Sequence, residues 1–366
     1  MRSGVTAFVV FKDGHQILRR CLDSLRPAVD ELIAVDTGAA DGSREVAQQA
    51  GARIFDLVWP DSFSDAYNFA IQRVETEWTL WMDSDEWLLP ESVPLLRDAI
   101  GRDDTHAYHL IRQDLYGPRE FTEMYLMRLW RTHARMRLRG AIHSNFPPEA
   151  LGAASEGRKV EYSEIRIRHD GLGNLTREKL LRNIQYIQRE LRDRPSQLYF
   201  QISLADAFLC VDDPRGAGMI RDLADQVIAM DSSPPEHMVA LLLGLALELI
   251  VPDEFGSART RKVVDRLLAW HPDSPPALWA LSVFEERRGN VQNEFDALLR
   301  VEQLMITGRH NRHVSFPPWI FGEPLFSRLA VTAHRLGRLD VARRNYQRLL
   351  ELNPQHPLAV GNLAHL

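Results

Sequence analysis

The sequence predicts an α/β domain over residues 1–175, followed by an all-α domain of helical repeats over 176–366. Two observations carry this expectation. Short apolar runs alternate with helical patterns in the first part, in the strand, helix, strand, helix, strand order of a sheet wrapped by helices. After Gly171 the strand pattern stops, and apolar residues recur at helical spacing between turns rich in Pro, Gly and Asp.

Composition narrows the function classes. A chain of 366 residues with 45% hydrophobic side chains is long enough for two sizeable cores. Lys and Arg number 44 against 50 Asp and Glu, a net charge of −6, which argues against a generally basic nucleic-acid surface. An acidic substrate would need a local site. Cys21 and Cys210 are far apart, so no disulfide framework is expected and a reducing, cytoplasmic compartment is favoured. The run Val5 to Phe11 is too short for the apolar region of a signal peptide, and Val239 to Val251 is too short to span a bilayer and carries Glu248. No integral membrane segment is expected.

Val5 to Phe11 reads as the first strand and leads through Lys12-Asp-Gly-His15 into a helix with Ile17, Leu18, Cys21, Leu22 and Leu25 on one face. Pro27 helps end that helix. Glu31 to Val35 is the second strand, closing on Asp36-Thr-Gly-Ala-Ala-Asp-Gly-Ser43. Gly38 and Gly42 permit close backbone turns there, and Asp41 or Ser43 can cap the helix Arg44 to Ala50. The same residues also make ordinary turns. Arg53 to Val58 is a third strand, and Ser64 or Asp65 starts the helix that carries Asn68 on its first turn.

The stretch Trp78-Thr-Leu-Trp-Met-Asp-Ser-Asp-Glu-Trp87 organises the rest. Trp78 to Met82 reads as a buried strand ending in carboxylates. Alternate residues of an extended chain share a face, so Asp83 and Asp85 can point to one site at a strand's carboxyl end, where open α/β sheets bind ligands. Two neighbouring carboxylates repel unless a cation or a shared proton intervenes, and a hard divalent ion suits such a pair. The plainer alternative is an acidic turn that ends one strand and begins the next element.

In this order, Val35 to Ser43, Asp61 to Ala70, and Trp78 through Asp83-Ser-Asp-Glu86 resemble family 2 glycosyltransferases of the GT-A fold. More narrowly they resemble the branch that adds C-terminal tetratricopeptide-like helices and includes bacterial peptide S-glycosyltransferases. The resemblance implies a Rossmann-like nucleotide-sugar domain and an inverting transfer from a nucleotide diphosphate sugar, most often UDP-linked. It implies a donor site drawn from Phe11, Asp36, Thr37, Asp65, Asn68, Asp83 and Ser84, and Mn²⁺ or Mg²⁺ held by the Asp-x-Asp pair Asp83 and Asp85. His169, in Ile165-Arg-Ile-Arg-His-Asp-Gly171, matches a late histidine that some GT-A enzymes use as a further ligand.

The chain also departs from that pattern. Lys12-Asp13-Gly14 stands where the family has Lys-Asn-Glu, and Ala66-Tyr67-Asn68 where it has Ala-Arg-Asn, which removes a phosphate-binding arginine. Met124 to Arg131 followed by Arg139-Gly-Ala-Ile-His-Ser144 matches the branch except that Ser144 replaces a Glu. His143 is therefore the candidate base on the acceptor side. Arg128, Arg131, Arg135, Arg137 and Arg139 make this stretch basic, as a pyrophosphate or an acidic acceptor requires; a solvated face is the alternative. If these departures abolish activity, the chain is a degenerate GT-A protein serving as a repeat-based scaffold.

Beyond Leu89, Pro90 to Ile100 reads as a helix and Ala107 to Gln113 as a strand. Helices follow over Glu178 to Arg192, Leu198 to Leu209, Gly216 to Met230, His237 to Ile250 and Ala258 to Trp270. Leu325 to Asn353 resembles a tetratricopeptide repeat, with Ala330, Ala333, Gly337, Ala342 and Tyr346 at packing positions, and a weaker copy runs from Ala277 to Leu304. Such pairs stack and expose a groove. They hold a peptide or protein acceptor, brace the catalytic domain, or mediate homodimerisation; a small natural product or a growing glycan is the next acceptor class. The loop Gly308 to Gly322 brings His310 and His313 among aromatics, for packing or acceptor contact.

Overall fold

The structure, a computed structural model, describes residues 2–115, 121–133, 135–170, 176–249, 258–311, 313–314, 316–363 and 365. Gly171, which closes the His169 motif, and Ile250, Val251 and the rest of 250–257 lie outside the described residues. The chain divides into two compact units, Met1–Pro195 and Ser196–Leu366.

In the first unit the expected elements form in order: β1 (Arg2–Phe11), α1 (His15–Leu25), β2 (Glu31–Asp36), α2 (Ser43–Gln49), β3 (Arg53–Asp56), α3 (Phe63–Ile71) and β4 (Thr76–Asp83). Val5, Ala7, Phe8 and Val9 of β1 have no exposed surface, as a strand covered on both faces requires. The α1 face of Leu18, Cys21, Leu22 and Leu25 packs into the core on one side of the sheet. Tyr67, Ala70 and Ile71 of α3 join Phe8 and Trp81 in the core on the other.

β1 runs parallel to β2 and β4, and β2 parallel to β3. Register pairs Phe11 with Asp36, Asp36 with Asp56 and Val10 with Asp83. These strands' carboxyl ends thus share one edge. The chain passes outward from β1 to β2 and β3, then returns to place β4 on the opposite side of β1, which makes a crevice at the point of reversal.

Parallel pairing does not extend through the whole sheet. β5 (Glu86–Leu88), α4 (Ser92–Ile100), β6 (Thr105–Leu115), β7 (Phe121–Arg131), α5 (Pro148–Ser155) and β8 (Lys159–His169) complete an eight-stranded sheet of order β3-β2-β1-β4-β7-β6-β8-β5. β7 is antiparallel to β4, and also to β6, from which too few residues separate it for a crossover. β8 runs parallel to β6 and antiparallel to β5.

The helical pattern begins near residue 175, yet the compact units divide at Pro195. The intervening helix α6 (Arg177–Asp193) packs on the first unit. Its Tyr186 hydroxyl accepts the Trp59 indole N–H at 3.0 Å, and Glu190 accepts the Ala141 N–H at 2.5 Å.

The second unit contains α7 (Leu198–Cys210), α8 (Arg215–Ala229), α9 (Glu236–Leu249), α10 (Ala258–Trp270), α11 (Pro275–Arg287), α12 (Val291–Thr307), α13 (Glu323–Arg335), α14 (Leu339–Leu352) and α15 (Pro357–Leu363). Ala330, Ala333, Ala342 and Tyr346 are buried in one cluster, as the repeat pattern anticipates, and Gly337 turns at φ 68° between α13 and α14. In the loop between α12 and α13, His310 packs edge-on against Phe316 and Phe321, and Trp319 against Trp279. Among the described residues no helix is long and apolar enough to cross a membrane.

Candidate functional site

Two loops at the carboxyl edge are tied together by short polar side chains. The Asp36 carboxylate accepts the N–H groups of Gly38 (2.9 Å) and Ala39 (2.8 Å) and the Arg44 guanidinium (2.9 Å). Burial pushes this carboxyl up, but Ala39, Arg44 and Gly38 outweigh it and hold it below the usual range. Gly38 and Gly42 sit at φ 102° and 87°, which permits this tight turn. Asp41 accepts the Ser43 hydroxyl at 2.6 Å and the N–H groups of Gly14 at 2.7 Å and His15 at 3.0 Å, so it stitches the β1–α1 loop to the β2–α2 loop. Gly42 holds the N-cap position of α2, and Asp41 just before it accepts the N–H of Ser43, the first residue of the helix, at 3.1 Å.

Of the residues expected to contact a donor, several do structural work. Thr37 donates both its N–H (2.9 Å) and its hydroxyl (2.8 Å) to the Phe11 carbonyl. The Phe11 ring is buried in the core, so Phe11 offers this edge only backbone. Asn68 makes a two-way bond with the Leu138 backbone, donating to its carbonyl and accepting its N–H, both at 2.9 Å. Asp65 is exposed on the first turn of α3. That helix is capped by Ser62, whose hydroxyl accepts the Asp65 N–H at 3.2 Å, and not by Ser64 or Asp65. Ser64 instead lies 2.6 Å from the Gly140 carbonyl and 2.8 Å from the Ser144 hydroxyl.

The Asp83 and Asp85 carboxylates do not share surroundings, because the extended chain ends at Asp83 and Ser84-Asp85 form a turn before β5. Alternation therefore no longer decides where they point. Asp83 accepts from the Tyr67 hydroxyl (2.9 Å) and the Trp81 indole N–H (3.1 Å) on one oxygen and from Arg128 (2.7 Å) on the other. Ser84 is half-buried within that turn.

Arg128 is 2% exposed and stacks on Trp81, with its guanidinium carbon 3.9 Å from the ring centre. One of its nitrogens reaches both Asp83 and, at 2.6 Å, the fully buried Glu86, whose other oxygen accepts the Asp83 N–H at 3.0 Å. Two carboxylates thus share one cation. Burial pushes Glu86 up to about 7 against the opposing pull of Arg128, whereas Asp83 is held below its ordinary value by Arg128 and Tyr67 despite its own burial. Arg128 is the buried member of the basic stretch; Arg131 pairs with Glu77, and Arg139 with Glu149.

Asp85 is the open carboxylate, and its partner is His169. The His169 Nε2 lies 3.5 Å from Asp85, and its Nδ1 lies 2.6 Å from Asp114. Strand pairing explains the meeting, since β8 places His169 opposite Glu86 of β5 on one side and opposite Asp114 of β6 on the other. Arg112, two residues before Asp114, brings its Nε to 2.9 Å from the same carboxylate. Burial alone would lower the His169 pKa, but Asp114 and Asp85 raise it to about 9. Among the described residues no three His, Cys, Asp or Glu side chains converge as a complete metal site. Asp85 and His169 nevertheless suit a hard divalent ion that takes few protein ligands and completes its shell with water and phosphate oxygens.

His143 stands at φ 52°, a left-handed backbone position uncommon for a non-glycine residue. The residue is exposed to solvent. Desolvation by nearby protein atoms, followed by the Arg112 charge, lowers its pKa to about 4, so the imidazole is neutral at pH 7.

Tyr67, Glu86, Arg112, Asp114 and Arg128 thus shape this edge without having been assigned to it from sequence. Tyr67 marks a departure from the family pattern and Arg128 belongs to a basic run, but neither shows its partner until α3 and β7 are placed against β4. Asp114 carries only the faint signal of a polar end to an apolar strand.

Residues 6–155 match the family model described as glycosyl transferase family 2. A TPR repeat-containing protein of Synechococcus elongatus is 28% identical over 219 residues, which cover 58% of this chain and 54% of that protein. An uncharacterized glycosyltransferase of Rickettsia felis is 30% identical over 87 residues, 24% of this chain and 30% of that protein. The chain thus spans about half the length of the first relative and less than a third of the second. Among solved structures, S. aureus TarS 1-349 in complex with UDP-GlcNAc aligns over 84% of this chain and 92% of its own at 12% identity and a TM-score of 0.40. The mannosyltransferase PcManGT of Pyrobaculum calidifontis, in complex with GDP-Man and Mn²⁺, aligns over 73% and 87% at 13% identity and a TM-score of 0.40. Likenesses that weak carry no argument about this chain's ligands.

Proposed function

We propose, from the premise that residues 6–155 are a glycosyl transferase family 2 domain, that this protein is an inverting glycosyltransferase using a nucleotide diphosphate sugar. The observation that carries the reading is the meeting of Asp85 and His169, with Asp114 behind the histidine, inside an α/β domain of that family. UDP-sugars are the first donors to try.

In this reading Asp85 and His169 hold Mn²⁺ or Mg²⁺, which when bound serves as a Lewis acid for the departing diphosphate. Asp83 and Ser84 line the donor side. Arg128 and Tyr67 keep the Asp83 carboxylate ionised and oriented. Asp36 and Thr37 form the rim for the nucleoside, with Gly38 allowing close approach of the backbone. Asp65, exposed on the first turn of α3, is the donor contact from that helix, and Asn68 acts by holding the Leu138 backbone. His143 is neutral at pH 7 and accepts the proton of the acceptor nucleophile as it attacks the sugar from the face opposite the leaving group. A peptide or protein acceptor is favoured over a small natural product, because the helical unit has the repeat pattern that serves peptide grooves elsewhere.

Calorimetric titration of a panel of nucleotide-sugars, with Mn²⁺ and then with chelator, tests this without knowledge of the acceptor. Metal-dependent binding of one donor, lost in Asp85→Asn, supports it. Absence of binding by every donor in both conditions favours a scaffold built on a degenerate catalytic domain.

A further inference from the structure

His169 has a rotatable ring at the end of β8, and nothing in its own strand decides which nitrogen faces Asp85. The decision comes from the neighbouring strand. The parallel register of β6 with β8 sets Asp114 beside His169, and the Asp114 carboxylate lies 2.6 Å from Nδ1. Asp114 is only 7% exposed. Arg112 fixes it in turn, with Nε 2.9 Å from one carboxylate oxygen and Nη2 3.1 Å from the other. A carboxylate that accepts the Nδ1 proton leaves Nε2, the nitrogen 3.5 Å from Asp85, as the one whose proton a cation displaces, so that its lone pair turns to the ion.

We infer that Asp114 is a positioning residue for a divalent cation: it keeps the proton on Nδ1 of His169, so that Nε2 and Asp85 together face the ion, while Arg112 holds Asp114 in place. This inference rests on the metal reading given under Proposed function. It assigns Asp114 no contact with the ion or the donor; its influence passes entirely through His169. A plain ion pair fastening β6 to β8 is the competing account, and it predicts lower stability but unchanged Mn²⁺ affinity in a folded D114N.

The test titrates Mn²⁺ into the full-length protein saturated with UDP, comparing the unaltered protein with D114N, H169A and the D114N/H169A double variant. D114N preserves side-chain shape, and thermal unfolding without metal reports whether each variant is folded. The expected result is about 10–100-fold weaker Mn²⁺ binding in D114N. The double variant should bind no more weakly than H169A, because Asp114 has nothing left to orient.

Mn²⁺ affinity unchanged in D114N but reduced in H169A would overturn the positioning role and leave the metal reading standing. Losses that add in the double variant would likewise show that Asp114 acts independently of His169. Failure of the unaltered protein to bind Mn²⁺ with UDP would overturn both readings.

A second measurement needs no variant. In protein carrying ¹⁵N-labelled histidine, addition of Mg²⁺ and UDP should leave His169 protonated on Nδ1. A proton on Nε2 in the metal-bound protein would overturn the inference.

Discussion

Asp83 and Asp85 are separated by a single serine, yet the molecule treats them differently. Asp83 is wired inward to Tyr67, Trp81 and Arg128, and its backbone N–H is taken by Glu86. Asp85 keeps 37% of its side chain exposed and faces His169 across 3.5 Å. The inward carboxylate belongs to a buried ion triad, where removing one member leaves a charge uncompensated. The outward one has room for an additional partner. Spacing in an Asp-x-Asp motif therefore identifies a neighbourhood, and the end of β4 divides the labour inside it.

The strongest way to break the comparison is Arg128→Leu, which leaves Asp83 and Glu86 buried without their cation. It should cost roughly 3–5 kcal/mol of stability. Urea unfolding measures this, and a loss below about 1 kcal/mol would mean that the triad is not what holds the Asp83 side.

A buried histidine sharpens the comparison next. His106, on β6, is buried with no hydrogen-bond partner on Nε2, and burial, then His133 and Arg158, lowers its pKa to about 4. A base whose folded pKa lies below its unfolded value of about 6.5 stabilises the fold fully above that pH. That contribution is lost as pH falls through 4. The loss is at most about 3 kcal/mol, since each tenfold change in proton affinity is worth about 1.4 kcal/mol. His106→Gln should flatten the dependence of urea-unfolding free energy on pH between 6.5 and 4; an unchanged slope would assign it to other groups.

On the open side, Asp85→Asn should weaken metal-dependent donor binding at least tenfold, or about 1.4 kcal/mol, with little change in the thermal midpoint. Calorimetry and thermal unfolding on the same sample separate the two effects. A variant that loses stability and retains donor binding would place Asp85 in the structural class with Asp83. The smallest expected effect is that of Tyr67→Phe, which removes one hydrogen bond to Asp83 and should cost about 1 kcal/mol in urea unfolding.

Much of this fold was legible in the sequence. The strands and helices through Asp83 follow their apolar periods, and Ala258 to Trp270 is a helix over the span its pattern suggests. Gly38 and Gly42 adopt the left-handed turns their positions implied. Boundaries set by local polar chemistry were harder. Ser62, Ser64 and Asp65 are all competent caps, and the choice of Ser62 depends on Ser64 being engaged with Gly140 and Ser144, far along the chain. The division of the chain after α6 likewise depends on Tyr186 and Glu190 meeting Trp59 and Ala141.

By itself the sequence determined the class of domain and the strand ends that carry polar residues. Those features are local, because periodicity, turn chemistry and the abrupt end of an apolar strand are written within a few neighbouring residues. Only the tertiary structure decided that β7 lies antiparallel between β4 and β6, that Arg128 binds Asp83 and Glu86, and that Asp114 and His169 meet across β6 and β8. Strand order and register join residues that are distant in the chain, and the orientation of a buried charge depends on the countercharge that this register supplies.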